Sequence, residues 1–291
     1  MKKIDSSEIV YSLNNIQKEI SVWEARLSEK EKKVSDLSIQ TQNLKIALNL
    51  FLSEYNSRIG LLYVKLDKIK LSIKEYQNRI NLAKNKKLSP DDLNNIEKEV
   101  RENFFQERSK IDNLESETTD SSEEYDKNLE KEKEKYLDLK SLEKVKKFYR
   151  KLALKFHPDR AKNLKQRKEF EKIFPKINEA YQNGDLDTLK KYMKQVEREE
   201  QIAKETPEEK LVRLKKDYEV ILSIILKMHR EIEDLESSET YKLKKKVDKA
   251  KEKGRDLLKE LAANIKLEIS ENQKILEKLV AQYKEIVDEV I

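Results

Sequence analysis

Cysteine is absent from the 291 residues, and only two histidines, three glycines, four prolines and one tryptophan occur. Without cysteine there is neither a disulfide framework nor a thiolate metal site. Two histidines leave no histidine-rich metal site, so no metal and no cofactor is expected. Scarce glycine and proline remove most of the residues that build tight turns, which argues against a loop-rich or β-rich globule. No long apolar run exists either. The most apolar stretch, Val220 to Leu226, is far shorter than the roughly 20 residues a membrane-spanning helix needs. The N-terminal Met-Lys-Lys-Ile-Asp-Ser-Ser-Glu has no apolar segment behind its lysines, so no secretory signal and a cytoplasmic location are expected.

What is abundant is charge. Asp, Glu, Lys and Arg make up 41% of the chain, a mixture with Leu that marks long helices and coiled coils. The fold class expected is therefore all-α and elongated. The net charge is only +6, yet its distribution is uneven. From Lys144 to Lys172 there are twelve Lys or Arg against Asp159, Glu169 and Glu171, so the basic field is local. Such a field steers binding to an acidic surface.

Apolar residues recur at steps of three and four from Ile9 and Leu13 through Ile16, Ile20, Trp23, Leu27, Val34, Leu37, Leu44, Leu48, Phe51 and Tyr55, the pattern of a coiled-coil seam. The register slips by one residue to Ile59 and resumes through Leu66, Ile69, Ile73, Tyr76 and Ile80, with Gly60 beside the slip. A local unwinding or bend is expected there. Lys30 and Thr41 interrupt the seam, which makes residues 30–43 its weakest part. A helix of this length needs a partner, either another chain or a segment of its own. Ser89-Pro90-Asp91-Asp92 reads as a helix start, with the two acids against the helix dipole. Leu93, Ile96, Val100 and Phe104 then supply a short apolar face.

The region 1–111 is thus expected to be a long helical or coiled-coil region. Residues 112–124, acidic and aperiodic, read as a linker. A helical module with an extension helix is expected over 125–204. Residues 205–291 restart at Thr206-Pro207-Glu208-Glu209 and carry two apolar registers separated by Ser237 to Thr240, which reads as an antiparallel helical hairpin.

The most specific stretch is Phe148-Tyr149-Arg150-Lys151-Leu152-Ala153-Leu154-Lys155-Phe156-His157-Pro158-Asp159-Arg160. A basic amphipathic helix runs into a tripeptide that cannot continue it, because proline lacks a backbone donor and disfavours helix in the residue before it. Further on comes Phe174-Pro175-Lys176-Ile177-Asn178-Glu179-Ala180-Tyr181.

These two motifs, in this order, resemble the second and third helices of the J-domain (DnaJ-type) co-chaperones. The resemblance implies that the chain binds a 70-kDa heat-shock chaperone and stimulates its ATPase, performing no chemistry itself. It implies that Lys146, Tyr149, Arg150 and Lys151 form a docking face. His157 and Asp159 would make the coupling contacts, with Pro158 holding the corner and Arg160 adding charge. The coiled coils would bind client proteins, target the module or form homo-oligomers. The segment departs from the family in four ways: Lys131 to Lys135 leaves only Tyr125, Leu129, Tyr136, Leu137 and Leu139 for a first-helix core, Phe148 replaces a small residue, Pro175 lies inside the third helix, and Asn183-Gly184-Asp185-Leu186 replaces the usual fourth-helix pattern. These departures favour an alternative, a coiled-coil scaffold carrying a degenerate module. Nucleic-acid binding by the basic field is a weaker alternative. Leu152, Phe156, Phe174, Ile177 and Tyr181 read as core.

Overall fold

A computed structural model of the chain describes residues 6–84, 88–134, 139–199 and 205–288, with side chains described except at 6–14, 124–134, 139–141 and 197–199. Ile9, Leu13 and the expected core residues Tyr125, Leu129, Tyr136, Leu137 and Leu139 thus lie outside the described side chains. The elements are α1 (Ser6–Tyr55), a π-helical turn (Asn56–Gly60), α2 (Leu61–Ala83), α3 (Pro90–Asn103), α4 (Phe105–Glu134), α5 (Leu139–Lys155), a 3-10 turn (Pro158–Arg160), α6 (Leu164–Gln182), α7 (Leu186–Glu199), α8 (Pro207–Ser237), α9 (Glu239–Glu252) and α10 (Leu257–Asp288). No strand occurs among the described residues, so the fold is all-α.

The residues group into two compact units, each discontinuous in sequence. One comprises Met1–Ala47 with Tyr136–Tyr241, the other Leu48–Lys135 with Lys242–Ile291.

In the first unit the seam of α1 finds its partner within the chain. Ile20, Leu27, Val34 and Leu37 are buried against Leu214, Ile221, Ile224, Ile225, Met228 and Ile232 of α8. Cross-helix contacts advance together from Trp23–Tyr218, whose rings meet edge-on at 5.4 Å, to Lys45–Glu231 at 2.5 Å, so the two helices run parallel. The start of α8 is fixed by Thr206, whose hydroxyl accepts from the Glu209 amide while the Glu209 carboxylate accepts from the Thr206 amide, a capping box.

The second unit is arranged around α2. Leu66 and Ile69 of α2, with Phe51 and Ile59, bury Leu258, Ile265 and Ile269 of α10. Arg58–Asp256 at 2.5 Å and Lys70–Glu268 at 2.7 Å share one sequence offset, which makes this pair parallel too. Against α4 the pairing runs the other way, Lys68 to Glu115 and Lys74 to Glu107. The expected slip after Tyr55 is a π-helical turn, which takes up one extra residue and so returns Ile59, fully buried, to the seam. Gly60 is required by close approach: a Cβ there would lie 2.7 Å from Thr118 Cγ2. Ser89 caps α3 in a capping box with Asp92, as its sequence implies, and Ile96 and Val100 are buried with Ala83.

Two local expectations are corrected. Residues 112–124 are not an irregular linker but part of α4. The run lacks apolar periodicity because α4 packs on its neighbours through a small buried residue, Thr118, and through ion pairs, neither of which hydropathy registers. The two arms expected to pair as a C-terminal hairpin take different partners, α8 on α1 and α10 on α2. A break also occurs at Gly254, with φ 73°, where lysines end α9 and a left-handed glycine terminates it. The seam residues Leu243 and Val247 pack on the α10 cluster from α9.

Candidate functional site

The site lies in the first unit and starts from α5. Val145, Tyr149, Leu152, Ala153 and Phe156 fall on one helical face and are buried, while Lys144, Lys147 and Lys151 point outward, so burial of the apolar stripe sets the orientation of the basic one. The stripe packs on Phe170, Ile177, Ala180 and Tyr181 of α6 and on Leu189, Met193 and Val196 of α7. Leu152 and Ile177 are fully buried, as their spacing implies. The helical run of α6 continues through Pro175. Phe174 reaches the cluster, and Ile177 beyond the proline is sealed in it, so packing holds the turn that proline's missing donor weakens.

Asn163 caps α6 by accepting from the Gln166 amide at 2.9 Å, and Gln166 Oε1 accepts from the Lys162 amide at 2.7 Å. At the far end Gly184, with φ 65°, follows Asn183, and Asp185 then caps α7 by accepting from the Asp187 and Thr188 amides. The Asn163 cap thus fixes where the loop between α5 and α6 ends, and the Asp185 cap fixes the start of α7.

Within that loop, Pro158, Asp159 and Arg160 form a single 3-10 turn. The Arg160 amide donates to the His157 carbonyl at 2.9 Å, and the Asp159 amide donates to His157 Nδ1 at 3.2 Å. The second bond fixes the imidazole with Nδ1 as acceptor. The ring meets Phe174 edge-on at 5.5 Å. Burial holds the His157 pKa below its ordinary value; Lys227 and Arg160 add to this, while Asp159 and Glu231 oppose it. The neutral ring is the form that accepts the Asp159 amide.

The sequence-expected docking residues do not share one environment. Lys146 and Lys151 are exposed, and Arg150 is exposed while paired with Asp36 of α1 at 3.1 Å. Pro158 is half-buried. Asp159 has a side chain only 17% exposed and accepts from Lys227 Nζ of α8 at 2.5 Å. Arg160 pairs with Glu31 of α1 at 3.2 Å. Tyr149 is corrected from docking face to core. It is 1% exposed, its ring lies 4.3 Å from that of Tyr181, and its hydroxyl donates to Asn178 Oδ1 at 3.0 Å. Burial accordingly raises its pKa, and Tyr181 and Glu231 add to the rise. Tyrosine on a basic helix can serve either face; here the i, i+3, i+4, i+7 spacing with Leu152, Ala153 and Phe156 places it inside.

Sequence reasoning missed Glu31, Asp36 and Lys227. The available signal was the interruption of the α1 seam. Ser35, Ser38, Thr41 and Gln42, all within residues 30–43, are buried. Ser35 Oγ lies 3.5 Å from the Arg150 carbonyl, Gln42 accepts from Gln182 at 3.0 Å, and Asn43 accepts from the Tyr181 hydroxyl at 3.0 Å. A polar gap in an apolar seam is where α1 receives the module.

Two grooves, about 600 and 620 Å³, flank the contact of the loop with α8, bordered by Asp159 to Lys162 with Val212 and Val220, and by Pro158 and Leu164 with Ser223 and Lys227. Among the described residues no group of three or more His, Cys, Asp or Glu could hold a metal ion, and no helix there is long and apolar enough to cross a membrane.

No curated protein and no solved structure matches the chain. Residues 137–183, which run through α5, the His157-Pro158-Asp159 turn and α6, match the family model of the DnaJ domain.

Proposed function

We propose that the chain is a co-chaperone that binds a 70-kDa heat-shock chaperone through the His157 to Asp159 turn and the basic face of α5, and stimulates its ATPase. The observation that supports this reading is a basic helix whose buried face is sealed and whose charged face runs directly into a rigid His-Pro-Asp turn, within a segment matching the DnaJ domain. A fixed cationic face gives orientation and association rate. Contacts at the turn that differ between the chaperone's two states supply the free energy any allosteric stimulation needs. The coiled-coil helices would bind clients, target the module or form homo-oligomers. The test is chaperone ATPase turnover with wild type and His157→Gln. Stimulation by wild type and its loss in the variant are expected; no stimulation by wild type, or equal stimulation by both, contradicts the reading.

One observation favours a second reading, a scaffold in which the module is a helical hub. Arg150, Asp159 and Arg160 are all engaged within the chain. It predicts no measurable chaperone binding by wild type, with helix content unchanged in His157→Gln.

A further inference from the structure

We infer that α1 and α8 form a reversible latch over the His157-Pro158-Asp159 turn, one that occupies the docking charges until a chaperone displaces it. The inference rests on the co-chaperone reading above and adds a regulation of the same site.

Three of the charges assigned to docking each meet an opposite charge from outside the DnaJ-matched segment. Arg150 meets Asp36, Arg160 meets Glu31, and Asp159 meets Lys227. The first two partners present carboxylates to arginines, as an acidic docking surface would. Lys227 covers the one acid of the tripeptide, leaving its side chain 17% exposed. Asp159 and Arg160 of the turn therefore reach a partner only after exchanging these pairs, while Arg150, exposed on α5, has its charge already matched by Asp36.

The chemistry of the contact makes that exchange feasible. Where α1 meets the module, the buried Ser35 and Gln42 and the exposed Asn43 make hydrogen bonds to Arg150, Gln182 and Tyr181. Water can replace each of these bonds on opening, so they resist separation less than an apolar seam of equal size. Among the described residues, the apolar α1 side chains packed on the module core are the half-buried Ile39 and Ile46, and Leu154 reaches the α1/α8 cluster. The Arg150–Asp36 pair is exposed on both sides, and such pairs are weak and screened by salt, while Arg160–Glu31 and Lys227–Asp159 are partly buried. A partner offering several charges at once can compete for them, and the apparent affinity falls by the fraction of molecules in the open state.

The experiment compares wild type with the triple variant Glu31→Gln, Asp36→Asn, Lys227→Ala, none of which alters the DnaJ-matched segment. Two quantities are read: the co-chaperone concentration giving half-maximal stimulation of a 70-kDa heat-shock chaperone's ATPase, and hydrogen exchange at the amides of Asp159 to Ala161 without chaperone. Opening the latch is expected to lower the half-maximal concentration by about tenfold, the factor for a wild type that is open in about one molecule in ten, and to speed exchange at the turn. Lys227→Arg, which keeps the pair, is expected to behave as wild type, and matching circular dichroism identifies variants that fold. Stimulation by wild type with the same half-maximal concentration in the triple variant overturns the latch and leaves the co-chaperone reading standing. Unchanged exchange at the turn overturns the latch by itself. No stimulation by wild type, by the triple variant or by Lys227→Arg overturns the co-chaperone reading, and the latch with it.

Discussion

The two units use the same materials, an N-terminal seam helix and a parallel C-terminal partner, but spend their charges differently. In the unit built on α2, ion pairs such as Lys70–Glu268 and Lys68–Glu115 lie beside continuous apolar contacts and align helices whose role is to pack. In the unit built on α1 and α8, the apolar seam keeps Val34 and Leu37 but is interrupted at Lys30 and Thr41, and three ion pairs go to residues of the His-Pro-Asp segment. An uninterrupted seam gives structure alone, whereas an interrupted one gives a place for another element to dock.

The largest effect is expected from emptying a core position in each unit. Ile221 and Leu258 are both fully buried, and Ile221→Ala or Leu258→Ala is expected to cost about 2–5 kcal/mol, the transfer loss plus the cavity. Urea denaturation gives the magnitude. Hydrogen exchange gives the location: faster exchange at Asp159 to Ala161 in Ile221→Ala but not in Leu258→Ala is expected. Equal acceleration in both would show that the turn does not depend on its own unit's seam in particular.

Next comes the π-helical turn. Gly60→Ala places a methyl 2.7 Å from Thr118 Cγ2 and 3.1 Å from Asn56 Oδ1, and overpacking of this kind costs about 1–3 kcal/mol, offset by about 1 kcal/mol of helix propensity. Net destabilisation relieved by Thr118→Ser in a double-mutant cycle is expected. Additive effects would show that the slip, not the close approach, demands the glycine.

Tyr149→Phe is expected to lose about 1 kcal/mol of stability through the missing bond to Asn178 while leaving chaperone affinity unchanged. A large loss of affinity with stability intact would return Tyr149 to the docking face.

The smallest effect is that of pH on the turn. Burial lowers the His157 pKa, so the folded turn favours the neutral ring. Its contribution is complete above the ordinary histidine value of about 6.5 and is lost as pH falls through that value toward the lowered one, because the unfolded state then binds the extra proton. Asp159 and Arg160 of the turn and Lys227 and Glu231 of α8 are the charges facing it. Exchange at Asp159 to Ala161, corrected for the intrinsic rate, should accelerate relative to the second unit as pH drops from 7 to 5.

What was legible in the sequence follows from the range over which each cause acts. Seam residues such as Val34, Ile59 and Leu66 announced themselves because apolar periodicity is local, and all three are buried. The slip beside Gly60 was visible for the same reason, and the helix starts at Ser89 and Thr206 because a cap acts on its next three residues. The His-Pro-Asp turn was legible because proline ends a helix wherever it is placed. The helical character of residues 112–124 was not, since Thr118 packs on a glycine 58 positions earlier and hydropathy does not record that contact. Glu31, Asp36 and Lys227 were hidden because every helix here carries surface charge. Only the fold tells which of them face Arg160, Arg150 and Asp159. Gly254 was available as a stop signal, yet apolar residues on both sides made one helix of α9 and α10.

On the proposed reading, the turn at the end of α5 acts on a chaperone. ATPase turnover of a 70-kDa heat-shock chaperone, titrated with wild type and with His157→Gln, tests it most directly. Stimulation that saturates with wild type and vanishes in the variant is the result expected; the same turnover with both proteins, or with neither added, would contradict it.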